Sequence, residues 1–152
     1  MHRYQRILVT TDFSELGNSA IPHAYSLLGR GPGTVILCHV VEQVRLPNPL
    51  YAHYTPGRMM TSSERAALAR GLEEKLCRLI PRRRPRGVKT ELRVVDTKEP
   101  IHEAICKLAR SLRADAIVIA SHGHSGIARV LLGSTTERVL RFARGPVLVV
   151  LP

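Results

Sequence analysis

Arg6-Ile-Leu-Val-Thr-Thr-Asp-Phe-Ser14 opens a unit that Val35-Ile-Leu-Cys-His-Val-Val41 closes, and these two stretches decide the fold. Ile7, Leu8 and Val9 run without a polar interruption and stop at Thr10-Thr11, the pattern of a strand buried on both faces. Val35 to Val41 repeats it. Between them, Ile21, Ala24, Tyr25 and Leu28 recur at helical spacing, and Gly29-Arg-Gly31-Pro-Gly33 ends the helix. Two doubly buried strands joined by an amphipathic helix make a right-handed βαβ unit, which belongs in a parallel sheet.

The rest of the chain repeats that rhythm. Glu42 to Met60 carries Pro47, Pro49, Pro56 and Gly57, which bar a regular helix or central strand and predict a mobile loop. Thr61-Ser-Ser-Glu64 has capping-box spacing, and Leu68, Leu72, Leu76, Leu79 and Ile80 then form an apolar stripe that stops before Pro81. Val88 to Val95 alternates apolar and charged residues, as a strand at a sheet edge does. Pro100 starts a third helix through Ile101, Ile105, Leu108 and Leu112, and Asp115 to Ala120 is a further buried strand. Ser134-Thr-Thr-Glu137 starts a last helix that holds Val139, Leu140 and Ala143, and Val147 to Leu151 is the final strand. The expected architecture is a single α/β domain spanning 1–152, a five-stranded parallel sheet with helices on both faces.

Composition narrows the function classes. The 152 residues are 44% hydrophobic, enough for one self-sufficient core, and no apolar run approaches the roughly 20 residues of a membrane span. The apolar run behind Met1-His-Arg-Tyr-Gln-Arg6 is too short for a signal-peptide core, so a cytoplasmic location is expected. Cys38, Cys77 and Cys106 lie far apart in apolar-periodic segments and read as reduced core residues. The net charge of +11 raises nucleic-acid binding as an alternative, carried by Arg82-Arg-Arg-Pro-Arg86 with a vestigial nucleotide pocket. Against it, these arginines read as a solvated loop, and aromatic residues are only 4% with no Trp for base stacking.

In open parallel sheets ligands bind beyond the carboxyl ends of the strands where strand order reverses. Thr10-Thr11-Asp12 and Ser121-His122-Gly123 are the two strand ends with unusual chemistry, so they are expected side by side. The loop from Gly123 to Ser134 is the richest segment. Gly123 and Gly126 permit close backbone approach, while Gly133-Ser134-Thr135-Thr136 sets amides and hydroxyls at a helix N-terminus, where phosphate is favoured. The same letters also allow Ser134 simply to cap the helix with Glu137. Asp12 can accept from ribose hydroxyls or cap the next helix. His122 and His124 lack a third metal ligand at suitable spacing, and His39 reads as a hydrogen-bonded core histidine. No general base is evident beside Ser134 and no cysteine is coupled to a histidine, so no catalytic residue is assigned; slow ATP hydrolysis is left open, and nucleotidyl transfer is the weaker enzymatic reading.

Ile7 to Glu15, Leu37 to Glu42 and the segment from Ser121-His-Gly123 through Gly133-Ser134 to Gly145-Pro-Val-Leu-Val-Val150 resemble the universal stress protein family over nearly the whole chain. Its nucleotide-binding signature is glycine, two residues, glycine, nine residues, glycine, then Ser or Thr. Gly123 and Gly133-Ser134 match with nine residues between, while Ala120 replaces the first glycine. A methyl there either lowers affinity or is tolerated. The resemblance implies a Rossmann-like fold of the adenine nucleotide alpha hydrolase type with strand order 3-2-1-4-5. It further implies an ATP- or AMP-binding stress-response module, a homodimer formed through Val147 to Leu151. The implied binding residues are Thr10, Thr11, Asp12, Val40, Ala120, His122, Gly123, His124, Gly133, Ser134, Thr135 and Thr136. Asp12 would serve the ribose or adenine, the Val40 backbone the adenine edge, and Gly123, Gly133, Ser134 and Thr135 the phosphates. Mg²⁺ would accompany a triphosphate.

Overall fold

The computed structural model describes residues 4–29, 31–43, 60–121 and 132–151. Its elements alternate in chain order: β1 (Arg6–Thr10), α1 (Glu15–Leu28), β2 (Gly33–Glu42), α2 (Ser62–Arg78), β3 (Val88–Thr97), α3 (Ile101–Ser111), β4 (Ala116–Ala120), α4 (Ser134–Phe142) and β5 (Val147–Val150). All strand pairs are parallel, and the spatial order β3-β2-β1-β4-β5 is the expected one. Val9 lies opposite Leu37 on one side and Val118 on the other, and Val118 lies opposite Leu148.

Side chains that alternate along each strand feed two separate cores. Ile7, Val9, Val35, Leu37 and Val118 pack against α1 and Leu76 of α2, while Leu8, Ile36, Cys38, Ile117 and Ile119 pack against α3 and Val139 of α4. A continuous apolar run is what a strand covered on both faces requires, which is why β1, β2 and β4 carry no alternation. β3 lies at a sheet edge, as its alternating sequence predicts. Gly29, at φ 62°, ends α1 in a backbone region that side chains rarely adopt.

Four expectations need correction. Cys38 and Cys106 are buried, but Cys77 is exposed, because α2 covers only the sheet's edge and turns that position to solvent. For the same reason, of the residues within α2 only Leu76 is fully inside, and Leu68 is exposed. Leu140 of α4 is likewise exposed, leaving Val139 as the buried anchor. Finally, Ser134 is not a helix cap. Gly133 occupies the N-cap position and no side chain caps α4, whereas the Thr61–Glu64 box on α2 forms with both its hydrogen bonds. The loop expected between Glu42 and Met60 lies largely outside the described residues, as do His122, Gly123, His124 and Gly126.

Candidate ligand site

The chain runs outward from β1 through β2 to β3, then returns to β4 on β1's other side. Strand order therefore reverses between β1 and β4. Beyond their carboxyl ends lies a cavity of about 290 Å³. Thr10, Thr11 and Asp12 line it from β1, Val40 from β2, Ala120 from β4, and Gly133, Ser134, Thr135 and Thr136 from the start of α4. Every described residue of the implied binding set thus lines one space. Sequence reasoning did not find Gly17, His39, Ile101, Ile105 and Ile119, which complete the lining.

The turn after β1 is tightly built. Ser14 donates to Asp12 Oδ1 from its backbone N–H at 2.9 Å and from its hydroxyl at 2.5 Å, while Gly17 N–H donates to Ser14 Oγ at 2.9 Å. Asp12 thereby stands over the positive end of α1, which favours its charge. A β-carbon on Gly17 would lie 2.2 Å from Asp12 Oδ1, so the absence of a side chain there lets the carboxylate settle. The expected alternative that Asp12 caps α1 is corrected: Ser14 is the cap, and Asp12 accepts from Ser14 while lining the cavity.

Phe13 takes φ 66°, a region costing a non-glycine residue about 1–3 kcal/mol. Three contacts hold it there. Its N–H donates to Thr11 Oγ1 at 2.9 Å, its ring lies 4.4 Å from that of His39, and Lys75 Nζ sits 5.6 Å from its ring centroid. Thr11 Oγ1 in turn donates to Asn18 Oδ1 at 2.7 Å. His39 Nδ1 is 2.8 Å from the Thr11 carbonyl, and since a carbonyl only accepts, Nδ1 carries the proton. His39 is therefore hydrogen-bonded, as expected, but it is a half-buried wall of the cavity instead of a core residue.

The α4 side is anchored by two residues at the end of β4. Gly133 N–H donates to the hydroxyl of fully buried Ser121 at 3.1 Å, and Thr136 Oγ1 donates to the Ala120 carbonyl at 3.1 Å. Ser121 N–H is itself tied to the Val150 carbonyl. The start of α4 is thus pinned to the strand tip with no side chain capping it. The first amides of an α-helix lack intrahelical acceptors, so they meet the cavity as donors. Val40, Ile101, Ile105 and Ile119 supply apolar lining to the same cavity. The apolar lining suits a flat ring and the helix start an anion. Among the described residues no three His, Cys, Asp or Glu side chains gather to hold a metal.

A doubly wound parallel sheet with a half-apolar crevice at its reversal point and an uncapped helix start defines a class of α/β ligand-binding proteins. Within that class, the chain belongs to the universal stress protein family, whose sequence pattern matches residues 3–150. It is 30% identical over 154 aligned positions to universal stress protein MJ0577 of Methanocaldococcus jannaschii, spanning 97% of this chain and 94% of that protein. The solved structure of MJ0577 superposes with a TM-score of 0.65 at 28% identity, covering 99% and 98% of the two chains. A universal stress protein in complex with cAMP gives 0.60 at 24% identity, covering 99% of this chain and 98% of that one. One from Archaeoglobus fulgidus in complex with dAMP gives 0.57 at 18%, covering 97% and 98%. These two share the fold.

Proposed function

We propose that this chain is an adenine-nucleotide-binding module of stress signalling, working as a homodimer. The observation that carries the reading is the two-sided cavity: Val40, Ile101, Ile105 and Ile119 offer a slot for the base, and the α4 amides with Ser134 and Thr135 offer donors for phosphate. Asp12 lines the same cavity, where its carboxylate would accept from ribose hydroxyls. At about 290 Å³ the space suits a mononucleotide better than a dinucleotide. The cAMP and dAMP complexes of two family members agree with that ligand class. The same lining would serve ATP or AMP. Mg²⁺ would arrive with the triphosphate, held by phosphate oxygens and water, and Asp12 is the carboxylate that the described lining residues include.

Calorimetric titration with ATP and with AMP tests this. Saturable binding is expected, weakened about 100-fold in Gly133→Val, because a branched side chain would intrude where phosphate meets the first amides. Gly133 has φ −57° and ψ 145°, which valine adopts without strain, so the variant should fold. Absence of saturable heat with either nucleotide in the unsubstituted protein would refute the reading. The proposed homodimer would form through β5, which lies at a sheet edge.

A further inference from the structure

A second cavity, about 210 Å³, lies at the opposite end of the sheet, where α3 hands over to β4 and α4 to β5. Cys106, Ala109 and Ile117, all buried, line it. Three arginines also line it: Arg110 from the last turn of α3, Arg113 from the turn behind it, and Arg144 from the turn behind α4. Arg113 has φ 50°, an uncommon conformation for a side-chain-bearing residue.

None of the three guanidinium groups has a carboxylate partner among the described residues, where Arg6, Arg65, Arg93 and Arg141 are the arginines that pair with acids. Asp115, the acid nearest in sequence to Arg113, accepts instead from the backbone N–H groups of Gln5 and Arg6 at 2.7 and 2.8 Å. Three like charges around one hollow repel one another and raise its positive potential, which an anion would relieve. Cys106 offers no competing chemistry, since burial pushes its thiol up despite the opposing pull of Arg110.

We propose that this cavity is a second ligand site, for a compact oligophosphate, separate from the nucleotide site and independent of it. Exposed guanidiniums each contribute little to a single charge, so a ligand must carry several charged oxygens to engage three at once. The hollow is smaller than a usual pocket for a drug-sized ligand, which favours a di- or triphosphate group over a bulky body. That group is either free or the tail of a nucleotide.

Titrating sodium tripolyphosphate into the full chain at about 150 mM salt is the test, because charges beyond a Debye length are then largely screened. Saturable binding is expected, weakened about tenfold or more in Arg113→Gln/Arg144→Gln. It should change less than about twofold in Arg82→Gln/Arg83→Gln/Arg84→Gln, whose arginines do not line the cavity. Repeating the titration with ATP on Gly133→Val separates the sources: binding that the arginine pair removes assigns a nucleotide tail, and none assigns a free oligophosphate. The proposal falls if tripolyphosphate gives no saturable heat, or if the 82–84 variant loses as much as the arginine pair. It falls equally if binding survives that pair and vanishes in Gly133→Val, which would put the ligand in the nucleotide cavity.

Discussion

Ala120 stands where the family's nucleotide signature carries its first glycine, and its methyl group has two possible consequences that sequence leaves open. The structure places Ala120 beside the cavity but packs it against the α1-side core, while Ile119 packs against the α3-side core. The methyl therefore has a protein environment of its own. Ala120→Gly should shift nucleotide affinity by less than about threefold and cost roughly 1 kcal/mol of stability, the usual penalty for glycine inside a strand. Calorimetry alongside urea unfolding reads both, and an affinity gain of about tenfold would show the methyl obstructing the ligand. Cys38 lends itself to a different measurement. Burial pushes its thiol up to about 12 from 9.0, against the smaller pull of Arg93. Above pH 9.0 the unfolded chain loses this proton while the folded chain keeps it, so stability falls as pH rises. The contribution is complete below 9.0 and lost by about 12, a change of roughly 4 kcal/mol. In Cys38→Val that component is absent, so denaturant curves of the two proteins should diverge progressively over this alkaline window.

Elements differ in how much tertiary contact holds them, and α2 holds on by little. Leu76 is its one fully buried residue, with Leu79 and Ile80 partly covered just beyond its end, whereas α1 buries six of its own. Its N-terminus therefore depends on the Thr61–Glu64 box, where Glu64 N–H donates to Thr61 Oγ1 at 3.2 Å and Thr61 N–H to Glu64 Oε2 at 2.8 Å. Amides of α2 should exchange hydrogen through a smaller opening than those of α1. Thr61→Ala should lower that opening free energy by about 1 kcal/mol and leave α1 unchanged. Equal protection of both helices would contradict this. The same contrast explains what could be read in advance. The Thr61–Glu64 box was legible because all its parts are local. The similar letters Ser134-Thr-Thr-Glu137 misled because Gly133 holds the cap position with its N–H given to the buried Ser121 hydroxyl at the tip of β4, a contact that no local pattern encodes. Strands β1, β2 and β4 announced themselves by unbroken apolar runs, and β3 by its alternation. The cavity's outer wall did not. Ile101 and Ile105 read only as one stripe of α3, and it takes the sheet order to bring that helix start beside Val40. Gly17 carried a faint signal, three residues behind the cap residue Ser14 and close to Asp12.

At the scale of the molecule, the two edges of the sheet are treated unequally. β3 carries Lys89, Glu91 and Arg93, with α2 laid against it, which discourages pairing with another chain. β5 reads Val-Leu-Val-Val with no charge, and Leu148 within it and Leu151 just beyond it are exposed at 36% and 49%. An uncharged, apolar open edge either aggregates or finds a partner, and a two-fold pairing of β5 with β5 satisfies both copies with one surface. Charge sharpens the expectation. Each copy carries a net +11, so two copies repel, and residues 147–151 contain no ionic group with which to offset the repulsion. An apolar contact between like-charged bodies strengthens as salt screens them, opposite to an interface built from ion pairs. Sedimentation velocity from about 0.05 to 0.5 M salt should therefore show the dimer tightening. Leu148→Lys, which sets a charge on each side of the two-fold axis, should leave a monomer at the same concentrations with its nucleotide cavity intact. A dimer that loosens with salt, or that tolerates the lysine, would place the contact on another face of the molecule.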